Sequence, residues 1–159
     1  MTIWVKEFME KKNLSEKQAK LSSGVDLSDE NLAVAYEKFK ADDSVVYVLT
    51  TFSNNKVSYV SSDSSVDDMI RALDEDNIFF GVLKASVSSQ SKVFSFCVVG
   101  ENVNGMKKGK ASMAKSGILN FYDAHGELTS FGDGATEVTR DALLQRIRES
   151  CRQADVSVA

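Results

Sequence analysis

Few residues in this chain could do acid–base, nucleophilic or metal chemistry. His125 is the only histidine among 159 residues, so a multi-histidine metal site is excluded. Its place after a helical stretch, beside Gly126, reads as a helix-end capping or solvated side chain. Cys97 and Cys151 are the only cysteines and cannot build a disulfide framework. Cys97 sits in the run FSFCVVG, where a thiol behaves as a small hydrophobe. The carboxylates Asp67, Asp68, Asp74, Glu75 and Asp76 lack the spacing of a calcium loop and read as a solvated face. Gly132-Asp133-Gly134 reads as a turn. CxxC, GxSxG, P-loop and HExxH patterns are all absent. These features imply no enzymatic activity, no cofactor and no metal.

The chemistry that does stand out is non-covalent. Twenty-three acids and 19 bases give a formal charge of −4 and a pI near 5.1, which argues against a nucleic-acid binder. The charge is unevenly spread. From Asp26 to Phe80, twelve acids face four bases, a net of −8. From Gly81 to Lys115, six lysines (84, 92, 107, 108, 110 and 115) face only Glu101, a net of +5. Such segregation can orient a charged partner. Lys107, Lys108 and Lys110, followed by Met113 and Lys115, suit contact with an acidic protein, because methionine adapts its shape to a partner surface.

These residues need elements to position them. Asp26 and Ser28 are both candidate caps for a helix through ENLAVAYEKFKA, with Leu32, Tyr36 and Phe39 on one face. Residues 44–52 (SVVYVLTTF) and 57–61 read as strands joined by a turn at 53–56. Ser65 is placed to cap a short helix, VDDMIRAL. Residues 78–85 and 93–99 are strands apolar almost throughout, the pattern of a sheet covered on both faces. GENVNGMKKGKA, 100–111, reads as a glycine- and lysine-bearing loop leading to a helix from about Ser112 to Ala124. A fifth strand spans 128–131, and Thr136 or Thr139 caps a last helix through TEVTRDALLQRIRES. The expected class is α/β (α+β): a central mixed five-stranded sheet with helices on both faces.

Residues 1–24 differ from the rest. Trp4 with Phe8, and Val5 with Met9, form i,i+4 pairs of a short amphipathic helix. A polar stretch ending in Ser-Ser-Gly then reads as a linker. The expected division is an N-terminal extension, 1–24, and one domain, 25–155. Lysines inside the apolar part of MTIWVKEFMEKKN argue against a signal peptide, and no apolar run approaches the roughly 20 residues that span a bilayer. Reduced cysteines without an export signal point to the cytoplasm. The apolar edge of Ile3, Trp4, Phe8 and Met9 leaves self-association through residues 1–24, folding back on the domain, or a mobile arm as open alternatives.

NLAVAYEKFKADDSVVYVLTTF, residues 31–52, followed by a turn and a V-x-Y-V strand, resembles the opening of actin-depolymerising-factor-homology (ADF/cofilin) domains. SKVFSFCVVGENVNGMKKGKASMAKS, residues 91–116, resembles the coactosin signature: a lysine opens an apolar strand that ends in Gly-Glu-Asn-Val, then a basic loop and the long helix. The resemblance covers about residues 27–152. It implies an ADF-homology fold and a cytoplasmic, cytoskeletal actin-binding module without catalysis, with actin filaments as partner and neither nucleic acid nor membrane.

Residue by residue, the resemblance assigns filament contact to Lys92 at the start of the fourth strand and to Lys107, Lys108 and Lys110 of the basic loop. It extends the contact to Met113 and Lys115 on the first turns of the actin-facing helix, with Arg146 and Arg148 near a second filament-contacting region. A lysine near the end of the last helix in vertebrate coactosins falls here on Glu149. Val98-Val99 stands where the family strand usually carries tryptophan. An alternative within the same fold is a scaffold that binds another actin regulator, such as the Arp2/3 complex.

Overall fold

The computed structural model describes residues 25–131 and 134–159; the readings of residues 1–24 and of Gly132 and Asp133 fall outside them. Helix α1 spans Glu30–Ala41, and a hairpin of β1 (Tyr47–Ser53) and β2 (Lys56–Asp63) follows. Next come α2 (Val66–Ala72), β3 (Ile78–Val87), β4 (Gln90–Val99) and α3 (Gly105–Phe121). The chain closes with β5 (Gly126–Phe131), a 3-10 turn (Ala135–Glu137), α4 (Arg140–Cys151) and a short β6 (Val156–Ser157).

The sheet runs β2-β1-β3-β4-β5, antiparallel except for the parallel β4–β5 pair. It is the expected mixed five-stranded sheet with one addition, β6, which is too short to leave an apolar period in the sequence. β3 outruns β1, and β6 pairs with the vacated stretch at Ser86 and Val87.

Alternation along the strands sends successive side chains to opposite layers. Tyr47, Leu49, Phe79, Leu83, Phe94 and Phe96 pack with Met69 of α2 and with Leu143 and Ile147 of α4. Val48, Phe52, Phe80 and Val82 pack with Leu32, Tyr36 and Phe39 of α1 and with Ala111, Ala114, Ile118 and Phe121 of α3. Helices therefore cover both faces, which is why β3 is apolar almost without interruption. Where β3 crosses β1 and β4, no side chain fits: a Cβ on Gly81 would lie 2.4 Å from the Val48 carbonyl and 2.8 Å from the Phe96 ring.

Two helix starts differ from expectation, and a third is decided between two candidates. Asp29, not Asp26 or Ser28, caps α1 by accepting from the Asn31 amide, while Asp26 accepts from the Ser28 amide and hydroxyl. Thr139, one of the two candidates, caps α4 through the Ala142 amide; Thr136 belongs to the 3-10 turn. The largest difference is α3, which begins at Gly105, seven residues before Ser112. Asn104 accepts from the Lys107 amide at 2.9 Å, and the Lys108 amide donates to the Asn104 carbonyl. A capping side chain satisfies an otherwise orphaned donor, and this overrides the loop signal of Gly105 and Gly109. Ser65 caps α2 as the sequence implied.

Candidate functional site

The early start of α3 converts the expected basic loop into two helical turns. Lys107, Lys108 and Lys110 are exposed there, and no residue from Gly105 to Lys110 is buried. The first core residue of the helix is Ala111. Met106 and Met113 are 74% and 83% exposed, far more than any other large apolar side chain among the described residues. Met106, Lys110 and Met113 fall at i, i+4 and i+7, one stripe of the helix surface. Met106 is the member sequence reasoning missed. It becomes visible once the helix is started at Asn104, since the asparagine–glycine pair then reads as cap and first residue.

The electrostatics of this turn are unusual. No acid lies in the first turn of α3, although a helix N-terminus carries about half a positive charge and favours carboxylates there. Lys107 and Lys108 add like charge to it, and among the described residues neither they nor Lys110 make an ion pair. The result is a concentrated positive end bordered by apolar thioethers, built against the preference of the helix.

The remaining sequence-predicted residues are not gathered with it. Lys115 lies further along α3 and is ion-paired to Glu127 of β5 at 2.6 Å. Lys92 is half-buried on β4, and strand alternation places it on the side of Phe94 and Phe96, the layer of α4. Arg146 and Arg148 are half-buried on α4 itself, so these three cations belong to the opposite layer from α3. Arg148 is committed locally: its Nε donates to the Ala154 carbonyl, and its own carbonyl accepts from the amides of Arg152 and Gln153 at the left-handed end of the helix. Nearby, the β3–β4 turn at Ser88-Ser89 is tied to the C-terminal tail by the Ser88 amide on Asp155 and the Ser88 hydroxyl on Gln153.

The residues that suggested other chemistry have structural partners. His125 stays exposed, one of its two expected readings, but it does not cap α3: its Nδ1 accepts from the Val93 amide at 2.9 Å and its amide donates back to the Val93 carbonyl, pairing it with β4 at the entry to β5. Asp74 and Asp76 are exposed as expected, but Glu75 turns inward and accepts from the Ala135 amide. A Cβ on Gly134, whose φ is +114°, would lie 2.7 Å from that carboxylate. Burial raises the Cys97 thiol to about 11, which keeps it protonated at neutral pH and a poor nucleophile. Among the described residues no three His, Cys, Asp or Glu side chains could hold a metal ion, and no helix is long and apolar enough to cross a membrane.

Residues 24–148 match the family described as cofilin/tropomyosin-type actin-binding protein. Among solved structures, the chain is similar to coactosin from Entamoeba histolytica (TM-score 0.66, 20% identity, covering 82% of this chain and 99% of that one). It is also similar to human coactosin-like protein (TM-score 0.64, 17% identity, 74% and 92%). A third is mouse coactosin, an actin filament binding protein (TM-score 0.58, 16% identity, 76% and 87%). No curated protein sequence matches the chain.

Proposed function

Because this chain belongs to the cofilin/tropomyosin-type actin-binding family, we propose that it binds actin in its filamentous form and acts on the cytoskeleton of the cytoplasm. The observation that carries this reading is the start of α3: three exposed lysines that make no ion pair among the described residues, on turns whose helix dipole disfavours them, with the exposed Met106 and Met113 on the same stripe. An acidic protein surface would relieve the repulsion among these charges and cover the thioethers. Mouse coactosin, with the same fold, is a filament binder.

In this proposal residues 25–155 are the actin-binding unit and 1–24 an extension. Lys107, Lys108, Lys110 and Met113 form the principal contact. Lys92, with Arg146, forms a second contact from the other layer, and Lys115 and Arg148 contribute by shaping the helices that carry the rest. Exposed charge pairs are worth roughly 0–1 kcal/mol each and are screened by salt. Affinity is therefore expected to be modest and to fall as ionic strength rises.

Co-sedimentation with actin filaments over a salt series tests the reading. The wild-type protein is expected to pellet with filaments, and Lys92→Ala/Lys108→Ala to pellet less at every salt concentration. Undiminished pelleting of the double variant overturns the site. A wild-type protein that stays in the supernatant overturns filament binding.

A further inference from the structure

A groove opens beside the basic start of α3. Its floor is apolar, formed by Phe52, Ile78 and Val103, and Met106, Lys107 and Lys110 form one wall. Asn54 and Asn55 of the β1–β2 turn form part of the facing rim. The floor residues are themselves buried, whereas Met106 stands 74% exposed at the mouth.

The described chain begins at this rim. Val25 is fully buried, the Asp26 amide donates to the Asn55 carbonyl at 2.7 Å, and the Val57 amide donates to the Asp26 carbonyl. The described chain therefore begins beside Asn55, on the rim of the groove. The sequence of residues 1–24 carries Ile3, Trp4, Val5, Phe8 and Met9, with Lys6, Glu7 and Glu10 interspersed, two acids against one base over residues 3–10. At about 3.3 Å per extended residue, the 15 residues from 10 to 24 reach many times the distance required. Tethering at such short range holds the apolar segment at an effective concentration on the order of millimolar.

We propose that residues 3–10 of this chain occupy the groove intramolecularly. The side chains of Trp4 and Phe8, one helical turn apart, cover Val103 and Met106, and Glu7 and Glu10 approach Lys107 and Lys110. The docked segment screens the α3 lysines and withholds the helix start from other acidic partners. It is an internal competitor for that surface. The docking itself does not depend on what the partner is, while its regulatory consequence rests on the proposed binding of filaments.

Trp4 is the only tryptophan, so its fluorescence reports the docking directly. In the full chain its emission is expected to be blue-shifted and shielded from iodide relative to a synthetic peptide of residues 1–24. Met106→Asp, a change at an exposed site that leaves the core intact, is expected to move emission and quenching toward the peptide values. Phe8→Asp is expected to do the same from the other side of the contact. These results should hold on dilution, with the mass of a single chain by light scattering.

Peptide-like emission in the wild-type chain overturns the proposal. So does a blue shift that survives Met106→Asp, which places Trp4 elsewhere, or one that disappears on dilution with a doubled mass, which makes the contact self-association. Deleting residues 1–24 is expected to tighten filament binding, by about tenfold if nine-tenths of the molecules are docked. A deletion variant that pellets like the wild type, when the fluorescence shows docking, removes the competition but not the groove.

Discussion

The two cation-bearing ends of this molecule are built on opposite principles. α4 is anchored along its length: Leu143 and Ile147 are fully buried, Thr139 caps its start, and its end is held by Arg148 and the tail. The first two turns of α3 are anchored by little more than the Asn104 cap. Among the described residues they present lysines with no ion pair, two glycines and the exposed Met106, with the exposed Met113 at the start of the next turn. Cations on an anchored element tend to be used by the fold, as Arg148 is. Cations on the unanchored turns remain available, and their placement against the helix dipole is a local cost that the fold offsets elsewhere.

Substitutions can break that contrast, beginning with the largest effect. Ile147→Ala in α4 is expected to destabilise the protein by about 2–5 kcal/mol, the usual range for an aliphatic core truncation, as measured by urea denaturation. A loss below 1 kcal/mol would mean that α4 is not the anchored member. Lys107→Glu/Lys108→Glu/Lys110→Glu is expected to weaken filament pelleting by about tenfold or more while leaving the melting temperature unchanged or higher. The reasons are that three contacts of up to about 1 kcal/mol reverse sign, and that acids in a first helical turn are favourable by roughly 0.3–1 kcal/mol each. A variant that pellets normally, or one that melts well below the wild type, would make these lysines structural. The smallest effect sharpens the same point. A Cβ at Gly109 meets nothing within 4 Å, so Gly109→Ala is expected to stabilise by about 0.5–1 kcal/mol with pelleting retained, since alanine forms helix more readily than glycine.

The contrast also explains which readings of the sequence survived. Helices with a buried stripe were legible, because Leu32, Tyr36 and Phe39, or Leu143 and Ile147, recur at helical spacing and pack on the sheet as that spacing requires. The start of α3 was not legible as a helix, because Met106, Lys107, Lys108 and Lys110 bury nothing and leave no stripe. Only the Asn104 cap marks it, and a single asparagine beside glycine is also what a loop looks like. Glu75 was misread for a related reason. Its partner, the Ala135 amide, lies 60 residues away, and no local pattern can announce it.

By itself the sequence determined the classes and order of the four helices and five main strands, the two-sided burial of β3 and β4, and the segregation of charge that separates a −8 stretch from a +5 one. Those properties depend on residues within a few positions of one another, where periodicity and composition are informative. Tertiary structure alone decided which of the predicted cations are free to act. It paired Lys115 with Glu127, set Arg148 on the Ala154 carbonyl, and placed Lys92 and the arginines in the opposite layer from the α3 lysines. The availability of a charge depends on the groups that folding brings beside it, and those come from distant parts of the chain.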